Sequence, residues 1–137
     1  MNSSIQIEKV DFGGSIVGFE QLRYFQFKKV EGDNPFFLLA SEENEEMEFI
    51  IVSPFEFYQE YEVAISDDIK QELQIESHED VMVMCTVTIH KPFKESTLNL
   101  IAPLLINVTK GVARQIILNG SAYPTRAKLF PVSAEGN

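Results

Sequence analysis

Ten consecutive residues, Val81 to His90, alternate without a break: Val81, Val83, Cys85, Val87 and Ile89 fall on one side, and Met82, Met84, Thr86, Thr88 and His90 on the other. A repeat of two is that of an extended chain, so this segment is a β-strand whose core face runs through Cys85. Shorter stretches of the same character occur at 5–10, 22–28, 36–39, 48–52, 104–108 and 114–118. Turn residues separate most of them: Gly13-Gly14, Gly32-Asp33-Asn34-Pro35, Ser53-Pro54, Lys91-Pro92, Lys110-Gly111 and Asn119-Gly120. Strands so spaced predict a meander closed into a barrel or packed as a sandwich. The expected fold class is mostly β: a single compact antiparallel β-barrel-like domain over 1–132 with one short helix near residues 66–74. Ser66 can cap that helix, Asp67 and Asp68 suit its positive first turn, and Ile69 and Leu73 share a face. From Lys128 onward periodicity is lost, and the tail 133–137 is expected to fray.

Charge narrows the function classes. Residues 31–80 hold 16 of the 21 acidic side chains and a single base, Lys70, so that the segment carries −15 within a chain of net charge −10. Such a field repels phosphate and anionic lipid and favours encounter with basic protein surfaces. Direct nucleic-acid binding is therefore not expected, and the bases Lys91, Lys94, Lys110, Arg114, Arg126 and Lys128 are scattered. Residues 1–10 have neither the basic nor the apolar region of a signal peptide. No uncharged apolar run approaches the roughly 18 residues of a membrane span. A cytoplasmic protein without membrane contact is expected, and one cysteine, Cys85, excludes an internal disulfide.

Candidate chemistry is sparse. His78 and His90 read as surface imidazoles, and Cys85 as a buried thiol without activators. Gly13-Gly14-Ser15-Ile16-Val17 lacks the second glycine of a nucleophile elbow. The run Glu42, Glu43, Glu45, Glu46 lacks the alternating ligands and central glycine of a calcium loop. No metal, cofactor or catalytic group is expected. Two features suit protein contact instead: the glutamate run, and the acid-ringed aromatic segment holding Phe55, Phe57, Tyr58 and Glu60. Phe55 and Phe57 could equally point inward from one face of a strand.

At Thr97-Leu98-Asn99-Leu100-Ile101-Ala102-Pro103-Leu104-Leu105-Ile106-Asn107 the chain resembles the flagellar assembly factor FliW family, whose members carry T-x-N-L-x-A-P-x-x-I-N. The resemblance continues, in the family's order, through Gly18-Phe19-Glu20, Pro35-Phe36-Phe37-Leu38-Leu39, Ser53-Pro54-Phe55, Arg114-Gln115-Ile116-Ile117-Leu118 and Tyr123-Pro124-Thr125-Arg126. It departs at Phe12 to Gly18, where the family has F-P-x-G-I-P-G. Physically, the long block is two apolar strand pieces broken at Ala102-Pro103, with Asn99 and Asn107 flanking the break. These two amides and Pro103 join the candidate contact residues, although the amides can equally serve backbone groups opened by the bend. The resemblance implies a β-barrel-like fold, no catalysis and no cofactor. It implies two partners, cytoplasmic flagellin and the dimeric RNA-binding regulator CsrA, bound by a protein that is monomeric when free. The apolar stripes of flagellin's helical ends would seek the aromatic segment or the Met/Thr face of Val81–His90. A flagellin chaperone without regulator contact, or a small barrel for an apolar ligand, are the alternatives.

Overall fold

Both faces of the strand that begins at Val81 carry apolar residues, and both are at least partly covered as far as Val87, while Thr88, Ile89 and His90 are exposed. In the computed structural model, which describes residues 9–130, the order is β1 (Lys9–Asp11), β2 (Tyr24–Lys29), β3 (Phe36–Ser41), β4 (Glu48–Val52), α1 (Asp67–Glu72), β5 (Val81–Thr88), β6 (Thr97–Leu98), β7 (Leu104–Asn107), β8 (Val112–Gln115) and β9 (Ala127–Lys128). Seven of these strands, β1 to β5 with β7 and β8, form a closed ring in chain order. Every neighbouring pair in the ring is antiparallel except the last, β8 to β1. An odd number of strands that alternate in direction begins and ends pointing the same way, so such a meander closes only through a parallel pair. That seam is a single bridge, Asp11 opposite Val112, supported by the Asp11 N–H donating to the Gly111 carbonyl at 2.9 Å.

The barrel interior takes at least one side chain from each ring strand: Val10, Phe25, Phe27, Leu39, Ile51, Met84, Leu104, Ile106 and Ala113, with Phe12, Ile16 and Leu22 packed against them. Outside β4 and β5 lies a second cluster of Val52, Tyr61, Cys85, Leu98, Leu100, Ala127 and Leu129. Removing this apolar surface from water is the main stabilising term at both sites. The outer cluster is held by two tyrosine hydroxyls. Tyr61 donates to the Leu100 carbonyl at 2.6 Å, and Tyr58 donates to the Lys128 carbonyl. Met84 thus faces the barrel and Cys85 the outer cluster, while on the Met/Thr side Thr86 is half-buried and Thr88 and His90 are exposed.

β6 and β7 follow one another along the same edge of β5, Leu98 opposite Val87 and Leu104 opposite Met84, with the break at Asn99–Pro103. β9 pairs with β6 and Leu129 is buried, inside the expected domain of 1–132, and one expectation needs correction. The segment after Ser53 is a 3-10 turn, Pro54–Glu56, not a strand, since proline at its start favours a helical turn. The tail 133–137, and residues 5–8 of the first expected strand, lie outside the described residues.

α1 forms where its cap predicts, with Ser66 Oγ accepting from the Ile69 N–H at 3.2 Å. Beyond its end Gln74 turns left-handed at φ 57°. Asn107, without exposed surface, ties this end to the barrel. Its Nδ2 donates to the Leu73 and Gln74 carbonyls at 2.7 and 3.1 Å, and its Oδ1 accepts from the Thr109 and Lys110 N–H groups, both at 2.9 Å. Asn107→Ala would leave these groups unpaired, and urea unfolding is expected to show a loss of about 2–4 kcal/mol. A loss below about 0.5 kcal/mol would contradict this role.

Candidate functional site

The ring closes incompletely at its seam. Beyond β8 the chain stays extended and paired on the β7 side, with Ile116 N–H donating to the Pro103 carbonyl at 3.0 Å and Leu118 N–H to that of Ile101 at 2.8 Å. On the β1 side, side chains replace the ladder. Gln115 N–H donates to Ser15 Oγ at 3.1 Å, and Gln115 Oε1 accepts from the Val17 N–H at 2.8 Å. The connection after β1 can make this approach because Gly13 and Gly14 both have positive φ. A Cβ on Gly14 would stand 2.9 Å from the Glu20 carbonyl oxygen. Arg23 grips Asp11 at 2.8 and 3.0 Å at the foot of this loop and holds its carboxyl below the usual range.

A groove of about 1350 Å³ opens beside the seam, lined by Val17, Ile69, Ile116, Ile117, Leu118 and Tyr123, with Glu62 and Ser66 on the facing wall. A hollow of about 350 Å³ shares Val17, Gln115 and Ile117 and reaches the barrel mouth at Phe19, Phe49 and Asn99. Val17 and Ile117, 59% and 49% exposed, are the most exposed large apolar side chains among the described residues. Two aliphatics placed side by side in water at one groove mark a contact surface more strongly than either alone.

The surroundings are acidic. Glu62 lines the facing wall, Asp67 and Asp68 are exposed in the first turn of α1 between the lining residues Ser66 and Ile69, and the lining base Arg114 is engaged by Glu72. The β3–β4 loop, which carries the glutamate run, lies at the same end of the barrel: Glu42 N–H donates to the Tyr24 carbonyl, and Tyr24 pairs with Asp11 of the seam. The four glutamates differ. Glu43 accepts from the Arg23 and Tyr24 N–H groups at 3.1 and 3.2 Å, a latch on the start of β2. Glu42 meets Lys9 at 3.6 Å, whereas Glu45 and Glu46 are exposed without an ion-pair partner among the described residues.

The other residues singled out by sequence do not gather here. Phe55, Phe57, Tyr58 and Glu60 follow the opposite end of β4. Phe57 packs edge-on against Phe130, Tyr58 is half-buried, and Phe55 and Glu60 are exposed. Asn99 is half-buried at the barrel mouth, its Oδ1 accepting from the Ala102 N–H at 3.2 Å. Pro103 and Asn107 are buried, so neither offers surface to a partner. Sequence reading missed Ser15, Val17, Gln115 and Ile117. Their only local signal is an aliphatic residue beside a double-glycine turn and another ending a strand. Reactive groups are withdrawn or dispersed: burial pushes the Cys85 thiol up to about 12, and no three His, Cys, Asp or Glu residues converge as metal ligands among the described residues. No described helix is long and apolar enough to cross a membrane.

A seven-stranded closed barrel with an apolar groove open at an acidic end has the make-up of a protein-binding module. The family model described as FliW protein matches residues 3–129, and the chain belongs to that family. It is 38% identical over 121 residues to the flagellar assembly factor FliW of Clostridium novyi (strain NT), covering 88% of this chain and 85% of the relative. To the flagellar assembly factor FliW of Bacillus licheniformis it is 39% identical over 119 residues, covering 87% and 83%. A crystal structure of the flagellar assembly factor FliW superposes with a TM-score of 0.85 at 34% identity, covering 93% of this chain and 91% of that one. The stretch from Phe12 to Gly18 is the one that brings Ser15 and Val17 to the groove.

Gly14→Ala forces a side chain into left-handed backbone and against the Glu20 carbonyl. Urea unfolding is expected to record a loss of about 1–3 kcal/mol, and a neutral result would show that the loop is not held as described. Cys85, its thiol raised to about 12, is expected to resist alkylation at pH 8 in the native protein and to react once unfolded, as read by mass spectrometry.

Proposed function

We propose that this protein is a non-enzymatic, cytoplasmic flagellar assembly factor that binds flagellin and, when free of it, binds the translational regulator CsrA and relieves repression of flagellin synthesis. Membership of the FliW family and the name its relatives carry, flagellar assembly factor, support the assembly role. The partner assignment rests on physical complementarity. An RNA-binding dimer presents basic surface, and the exposed carboxylates at the open end of the barrel have the sign to attract it and to disfavour bound RNA. The apolar groove suits a partner segment that would otherwise expose aliphatic surface, as the terminal parts of unassembled flagellin do. The observation that carries this reading is the placement of the acidic β3–β4 loop and the groove at one end of the barrel. The free protein is taken to be a monomer.

Glu45 and Glu46 separate recognition from folding, because neither is tied into the fold by an ion pair. In calorimetric titrations the Glu45→Gln, Glu46→Gln double variant is expected to bind CsrA about 3- to 10-fold more weakly at low salt, with a flatter salt dependence. Its thermal midpoint should match that of the parent. Unchanged affinity would remove the electrostatic basis of antagonism, and binding of flagellin without CsrA would reduce the protein to a chaperone.

A further inference from the structure

The seam offers more than apolar surface. The Gln115 carbonyl and the Ile117 N–H lie on the same edge, two residues apart, and neither has a hydrogen-bond partner among the described residues. An acceptor and a donor so spaced are what one residue of an adjoining strand pairs with. The edge is bordered by the exposed Val17 and Ile117 side chains, Glu62 stands across the groove with Arg114 already engaged by Glu72, and Asp67 and Asp68 are exposed beside the lining residues Ser66 and Ile69. We infer that the groove takes an extended segment of a partner protein, in which aliphatic residues alternate with lysine or arginine, added as a strand to the 115–118 edge. Alternation follows from the period of a strand: one set of side chains enters the hollow at Val17 and Ile117, and the other turns towards Glu62 and the neighbouring Asp67 and Asp68. A helix, whose backbone groups bond internally, would leave the Gln115 and Ile117 groups unpaired. This inference rests on the reading that the protein works by docking other proteins, and adds the conformation and residue pattern of what docks.

A random peptide library displayed on phage, panned against the full-length protein, tests it without either proposed partner, so the two readings can fail separately. Selected peptides are expected to alternate aliphatic and basic residues and to slow exchange of the Ile117 amide at least about tenfold in the labelled protein. Ile117→Lys and Val17→Lys, both at exposed positions, should each weaken binding of the selected peptide at least about tenfold at an unchanged thermal midpoint. Failure to enrich any peptide would overturn the inference. So would acidic sequences, an apolar repeat at i, i+3, i+4, or a bound peptide that leaves the Ile117 amide exchanging as in the free protein.

Discussion

Seven strands in a meander cannot close with antiparallel partners alone, and the structure is organised around the parallel seam that results. Asp11 opposite Val112 is the one bridge, and past it the two chains diverge. Ser15 and Gln115 then take over with side-chain hydrogen bonds that keep the backbones near each other without pairing them. An open edge is normally a hazard, inviting unwanted strand pairing. Here it is short, flanked by Ser15 and Val17, and set beside a groove that Glu62 faces.

The coverings outside the barrel explain where that groove lies. Tyr58 and Tyr61 pin the segment after β4 across the outer face of β4 and β5. From Tyr61 the chain must travel to α1, which Asn107 fixes at its far end and Arg114 grips through Glu72. The connecting residues, Glu62 to Ser66, become the facing wall of the groove. Routing the −15 segment over the barrel thus sets Glu62 on that wall and Asp67 and Asp68 next to it in the chain.

Much of the fold was legible because it rests on local signals. The unbroken alternation of Val81–Thr88, the proline break at Pro103 and the Ser66 cap each led to the observed element. Alternation could not say that the Met82 and Met84 side was buried as well, since that depends on which strands complete the ring. Glycine and proline turns located the strand ends but not the weakness of the seam, which follows from the number of strands in the ring. Asn107 looked ambiguous and is structural, because a buried amide with four partners is recognisable only once Leu73 and Gln74 have been folded over it. The groove was the least legible part: its residues come from 15–17, 62–69 and 114–123, and nothing within any one stretch reveals the others.

The central claim is that the open-seam end of the barrel is where partners dock. Mapping backbone amide shifts of the labelled protein on addition of CsrA, and separately of flagellin, tests it most directly. The account predicts shifts confined to residues 12–18, 42–46, 62–69 and 114–118. Shifts centred on the aromatic segment 54–61 at the far end of β4, with the seam unmoved, would contradict it.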